Sequence, residues 1–272
     1  MIKFEKSSHY YSNVGEARYE ATLREARKEN LYVSPTTIDK DVFKNDFLDR
    51  WKMNELAAAA ASTFKQAHET EEDYANRIYE ISLEKSRTAS EFGKEIHAAI
   101  EDYPQYPLDP GLHPWVERFG EWYDLNVDTA ITREKVLLDH QIGVAGRCDF
   151  IGSGKGPFAD QRLLIDFKTQ NVKKDKAGKP KPAFYDSWPR QLSFYGVSDA
   201  KETGSFPDHI PTCLSLVIDS NTPGAPFVKV WGKEEILDAY VDFVTGAYLW
   251  FSKRSYWPCG RWAPTFPFQM PI

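Results

Sequence analysis

Cysteine is scarce in this chain. Cys148, Cys213 and Cys259 stand far apart in 272 residues, with no CxxC pair and no Cys/His ligand spacing. A zinc or iron–sulfur centre built mainly from thiolates is therefore not expected, and the three read as reduced, small hydrophobes of a cytosolic protein. No apolar run reaches the ~20 residues a membrane span needs. The opening Met1-Ile2-Lys3-Phe4-Glu5-Lys6 is charged and lacks the apolar centre of a signal peptide. The expectation is a soluble, cytoplasmic protein without membrane association. There is no internal repeat, no long low-complexity tract and no GxxxxGK[ST] phosphate loop, which argues against repeat architectures, disordered chains and P-loop ATPases. An excess of basic charge is lacking too: 34 Lys and Arg face 40 Asp and Glu, for a net charge of −6. That disfavours a protein that coats nucleic acid by bulk charge. A local basic channel stays open, because screening confines fields to about 8–10 Å.

What is abundant is aromatic: 14% of residues are Phe, Trp or Tyr, enough for a core and for stacking on flat partners. The length fits one large domain, or one with an appended piece. An alternating-charge stretch from Glu16 to Glu29 reads as a short solvated helix, and 31–38 as an extended segment ending in a turn. Helical periodicity runs through 41–66 (Phe43, Phe47, Trp51, Leu56 and an alanine run), through 71–84, and from a Ser90 cap to Glu101. In that last helix Gly93, His97 and Glu101 share a face beside an apolar stripe of Phe92, Ile96, Ala99 and Ile100. Prolines break 103–114, and 115–123 returns to helix. From Ile131 the pattern turns to strands at 133–139, 143–151 and 162–168, an antiparallel meander. A loop at 169–187, a helix at 188–200, strands at 213–219 and 227–231 and a helix at 233–253 follow. The Trp- and Pro-rich tail is expected to pack back on the domain. The fold class is α/β: a central mixed sheet flanked by helices. Residues 1–130 form an N-terminal helical region packing on the core and contributing His97, and 131–272 form the core, together one compact domain.

The chemistry concentrates in 134–195. Asp149 and Asp166 each sit near the end of an apolar strand, and neighbouring antiparallel strands bring such acids close. With no obvious cationic partner they would repel unless a divalent cation lay between them. Lys168 falls on the same strand face as Asp166. Two acids and a lysine around Mg²⁺ or Mn²⁺ suit activation of a water and stabilisation of a pentacovalent phosphate. D-x-K alone carries little weight, since Asp199-Ala200-Lys201 repeats it in a helix-ending context without a neighbouring acid. For Asp166/Lys168 the alternative is an edge-strand ion pair. Gln191 and Tyr195, at i and i+4, could reach a phosphate, a base or the lysine, or be a surface pair. Lys173, Lys174, Lys176, Lys179 and Lys181 follow the D-x-K strand directly, a position for polyanion contacts or a solvated loop.

Taken in order, Gly93-x3-His97-x3-Glu101, Gly146-x2-Asp149, Ile165-Asp166-Phe167-Lys168-Thr169 and Gln191-x3-Tyr195 resemble the PD-(D/E)XK nuclease superfamily, in its RecB-type exonuclease branch. Ser34-Pro35-Thr36-Thr37-Ile38, followed by Leu48 and Trp51, resembles the start of phage and mitochondrial genome-maintenance exonucleases. The resemblance covers about residues 30–200. It implies a restriction-endonuclease-like core and metal ligation by Asp149, Asp166, the Phe167 carbonyl and His97. Lys168 becomes the catalytic lysine, supported by Gln191 and Tyr195, with Glu134 and Glu101 in outer-shell positions. It implies Mg²⁺ or Mn²⁺ as cofactor and DNA ends, single- or double-stranded, as partner. The role is phage or bacterial recombination, repair or processing, alongside a factor such as a single-strand annealing or binding protein. Iron–sulfur members carry a cysteine before the core and three after it; this chain lacks both, so no cluster is expected. Without an ATPase motif the chain reads as a stand-alone exonuclease. A structure-specific endonuclease on the same fold, or a silent nucleic-acid- or protein-binding module, remains the alternative. Oligomeric state is left open.

Overall fold

The computed structural model describes residues 9–43, 46–107 and 109–262. In chain order the elements begin with β1 (Tyr10–Tyr11), β2 (Ala17–Arg18), α1 (Leu23–Glu29), β3 (Tyr32–Val33), α2 (Pro35–Val42), α3 (Asp46–Ser62), α4 (Glu71–Glu101) and α5 (His113–Asn126). They continue with β4 (Val127–Asp139), β5 (Val144–Gly154), β6 (Arg162–Gln170), β7 (Lys173–Lys174), β8 (Pro180–Lys181), α6 (Ser187–Glu202), β9 (Thr212–Asp219), β10 (Phe227–Trp231) and α7 (Lys233–Arg254). The architecture is mixed α/β, a central mixed sheet flanked by helices.

Alternation along β6 shows how the layers separate. Leu163, Ile165 and Phe167 face a cluster with Ile96 and Ile100 of α4 and Val116 and Phe119 of α5. Leu164 faces the other cluster, built with Leu192 and Val197 of α6 and Phe243, Ala247 and Trp250 of α7. A strand buried on both faces reads as a nearly continuous apolar run, and Leu163-Leu164-Ile165 is one. β6 and β9 are parallel and joined through α6; β9 and β10 are antiparallel.

The edges of β5 place the site. β4 runs antiparallel along one edge from Val127↔Gly154 to Asp139↔Val144. β3 and β6 must therefore share the other edge. β3 takes only Val33↔Val144, in parallel, and β6 only Phe150↔Ile165 to Ser153↔Arg162. Between them, at 145–149, that edge carries no strand. The sheet is forked there.

Several expectations change. The helices expected at 71–84 and from Ser90 onward are one 31-residue helix, α4, capped by Thr70, whose hydroxyl accepts from the Asp73 N–H. Between Leu83 and Ser90 there is neither Gly nor Pro, so nothing stops propagation, and Ser90 lies mid-helix. The turn expected after Val33 is a helix start: Ser34 caps α2, with Pro35 in the first turn. The stretch from Glu16 becomes helical only at Leu23, after a Thr22 capping box. The first 130 residues are not helical throughout, since β1, β2 and β3 extend the sheet. The tail packs Tyr256, Trp257 and Trp262 on the α7 side, and 263–272 lie outside the described residues, as do the side chains of Phe47 and Leu48. No helix among the described residues is long and apolar enough to cross a membrane.

Candidate active site

Where the sheet forks, Asp149 and Asp166 come next after the last β5–β6 pair, opposite each other across the opening. Neither ends its strand, because β5 continues to Gly154 and β6 to Gln170. Asp149 Oδ2 accepts a 2.7 Å hydrogen bond from the Phe167 backbone N–H, so a side chain replaces the missing ladder bond. A backbone donor of this kind also fixes the carboxylate.

α4 brings an imidazole and a further carboxylate to the opening. His97 Nδ1 lies 2.5 Å from Glu101 Oε1, and Nε2 lies 3.3 Å from Asp149 Oδ2. Burial opposes charging of this imidazole. Hydrogen bonds to Asp149 and Glu101, and their negative charges, outweigh it and push His97 up to about 10. Ligand atoms of His97, Glu101 and Asp149 lie within 4.8 Å of one another. The helix can come this close because Gly93 has no side chain: a Cβ there would meet Thr169 Oγ1 of β6 at 2.5 Å. That approach explains a glycine which costs about 1 kcal/mol in a helix interior. The Arg133 guanidinium donates to the Glu101 carbonyl, capping the end of α4. Its guanidinium also lies 5.8 Å from the Phe150 ring centre.

Asp166 is 2% exposed and sits on the α6 side. Lys168 Nζ lies 2.8 Å from its Oδ1 and 2.7 Å from its Oδ2. Only the Oδ1 contact has hydrogen-bond geometry, which leaves Oδ2 buried without one. Burial raises the Asp166 carboxyl, with Lys168 pulling against it and Asp149 adding to the rise. Burial works against the Lys168 ammonium, yet the charges of Asp166 and Asp149 hold it above its usual value. Lys168 also donates to Gln191 Oε1 at 3.4 Å, and Gln191 Nε2 donates to the Tyr195 hydroxyl at 3.2 Å. The Trp188 ring centre lies 5.9 Å from Nζ. Gly146 lets this helix and α2 meet the strand, since a Cβ would lie 2.9 Å from Tyr195 and 2.7 Å from Pro35.

Asp166 is paired with Lys168 on its own strand, as the alternative reading of that pair had it, while Asp149 faces His97 from α4, a partner that cannot be read along a strand. Glu101 lies within ligand distance of His97 and Asp149, whereas Asp166 is engaged with Lys168. Phe167 contributes its backbone N–H, and its ring packs 5.8 Å from the His97 ring. Glu134 sits on β4 between residues paired with Phe150 and Cys148, in the left-handed region at φ +52°. Its Oε2 lies 2.5 Å from Arg147 Nε. Burial raises its carboxyl, as do the charge of Glu101 and a hydrogen bond the two acids share.

A cavity of about 510 Å³ opens beside these groups. Besides His97, Glu101, Glu134, Asp149, Gln191 and Tyr195, it is lined by His9, Tyr11, Tyr19, Thr36, Lys94 and Arg147, none of which the sequence patterns marked as a site residue. Arg147 was legible, being two residues before Asp149. The aromatic wall comes from Tyr11 in a two-residue strand and from His9 and Tyr19 beside such strands, segments too short to carry a period. Lys173, Lys174 and Lys181 lie on the exposed β7–β8 hairpin and Lys176 and Lys179 on its turn. None of the five lines the cavity. The second D-x-K splits its partners: Asp199 takes Arg162 at 2.7 and 2.8 Å, and Lys201 takes Asp139 at 2.6 Å.

No protein-family model matches the sequence, and no curated protein matches it. Among solved structures, it is similar to one called "Putative exonuclease" from Eubacterium rectale, at 10% identity and a TM-score of 0.43 over 87% of each chain.

Proposed function

We propose that this protein is a divalent-metal-dependent deoxyribonuclease of the RecB-type PD-(D/E)XK kind, hydrolysing phosphodiester bonds from DNA ends in phage or bacterial recombination, repair or processing. One observation carries the reading. A carboxylate–imidazole group (His97, Glu101, Asp149) and a buried Asp166–Lys168 pair converge on one opening of the sheet.

The donor set fits a hard or borderline divalent cation such as Mg²⁺ or Mn²⁺, being oxygen-rich with one imidazole. Asp149, Glu101 and His97 would hold it, and Asp166 has a buried oxygen without a hydrogen bond to add. When bound, such a cation neutralises phosphate charge and lowers the pKa of a coordinated water. The remaining work falls to the chain. Lys168, kept protonated beside Asp166, orients the attacking water and offsets charge developing on the phosphoryl oxygens. Gln191 and Tyr195 hold its ammonium in place, and the Phe167 N–H keeps the Asp149 carboxylate from rotating.

The test is hydrolysis of linear and covalently closed DNA in Mg²⁺ or Mn²⁺, with Asp149→Ala as control. Linear DNA should be degraded and closed circles spared. Mn²⁺ titration by calorimetry should show a site in the wild type that Asp149→Ala loses. No hydrolysis, or equal hydrolysis by the variant, overturns the proposal.

A further inference from the structure

We infer that the cavity beside the acids receives the terminal nucleotide of a single DNA strand, with a phosphate on Arg147 and its base against Tyr19. This deepens the nuclease reading and rests on it. Arg147 and Asp149, two apart on β5, point to one side of the strand about 6–7 Å apart along it. The Arg147 side chain is 49% exposed, and its Nε is fixed by Glu134 at 2.5 Å. Among the described residues its guanidinium makes no other ion pair, so its outer N–H groups stay free for a phosphate oxygen. Glu134 keeps that guanidinium at the cavity wall, and the guanidinium offsets part of the negative charge of the acids lining it.

The base platform stands on the N-terminal side. Tyr19 is 43% exposed, yet its ring is braced edge-on by His9, at 5.1 Å and 68°, and by Tyr11, at 6.4 Å and 81°. The Tyr11 hydroxyl lies against the Arg147 backbone N–H at the fork and beside the Tyr19 side chain. Phosphate residue and ring are thus tied into one unit. A braced ring loses little freedom when a base stacks on it, and stacking tolerates any base. A space of about 510 Å³, walled by α4, α6, the start of α2 and the N-terminal strands, is of the size of a single nucleotide.

The test is anisotropy of a labelled twelve-nucleotide oligothymidylate with full-length Asp166→Asn protein in Ca²⁺, so that binding is read without turnover. Adding Tyr19→Ala should weaken binding about 5- to 150-fold, whereas Tyr19→Phe restores it. Arg147→Gln should weaken it about tenfold or more. A blunt hairpin duplex should bind less tightly than the single strand. Circular dichroism checks folding, and the Tyr19→Leu and Tyr19→Phe pair tests stacking at equal apolarity. Binding within twofold for Tyr19→Ala and Tyr19→Leu, or a preference for the duplex, overturns the inference. Wild-type hydrolysis of the same oligonucleotide in Mn²⁺ is followed alongside. Hydrolysis indifferent to Tyr19 and Arg147 defeats this inference alone. Tyr19-dependent binding without hydrolysis defeats the nuclease reading alone.

Discussion

Asp149 on β5 and Phe167 on β6 are joined by a hydrogen bond from backbone N–H to carboxylate where their strands have parted. The bond bridges the fork and aims the acid at His97 on α4. It makes the opening part of the sheet's own hydrogen bonding, and it sets the frame for what substitutions around it should do.

Lys168 and Asp166 have separable roles in folding and chemistry. Lys168→Ala strands a buried acid, which costs about 3–5 kcal/mol where a buried pair loses one partner. Hydrolysis should also fall about 10²–10⁴-fold. The double variant Asp166→Asn/Lys168→Met removes both charges. Calorimetry should show its Tm recovering toward wild type, while nuclease assays show no recovery of cleavage.

Gly93→Ala is favoured by helix propensity by about 1 kcal/mol, yet its Cβ would sit 2.5 Å from Thr169 Oγ1. The collision should win, because Thr169 is β-branched and lies on the strand that carries Asp166 and Lys168. The expected result is lower stability and lower activity. Thr169→Ala, which removes the clashing oxygen, should rescue both in a double-mutant cycle.

Asp199 is fully buried and held by Arg162 on β6. Asp199→Ala leaves the guanidinium without its partner and should cost about 3–5 kcal/mol. At roughly 2–4 °C per kcal/mol for a chain near this size, Tm should fall by about 6–20 °C. Activity per folded molecule below the new transition should match wild type, which separates this D-x-K from that of Asp166.

Lys173, Lys174 and Lys176 stand on the exposed hairpin after β6. Replacing them with Gln should weaken DNA binding and lower the log–log salt slope by about 0.7–0.9 for each phosphate contact removed. Titrations across salt concentrations read this directly. An unchanged slope would make the hairpin a solvated turn.

Legibility in the sequence followed the length of the repeating pattern. β4, β5, β6 and β9 were readable because alternating or continuous apolar runs bounded by turns mark strands, and Lys168 followed from the period of two. Gln191 with Tyr195, and His97 with Glu101, were readable from helical spacing. What escaped lies where contact depends on the third dimension. Nothing along β5 says that α4 delivers an imidazole to Asp149, or that Glu101 sits closer to it than an outer-shell position suggests. Tyr11 lies in, and Tyr19 just after, a strand of two residues. The continuity of α4 was hidden by a serine that looks like a cap but has helix formers on both sides.

The N-terminal wall of the cavity is held to the sheet through little backbone: β3 meets β5 only at Val33↔Val144, and β1 hangs from β3. Local stability follows such attachments, and weakly tethered units open at a fraction of the global free energy. Hydrogen exchange should therefore release the amides of Tyr10, Tyr11 and Tyr32 well before those of β6 and β9.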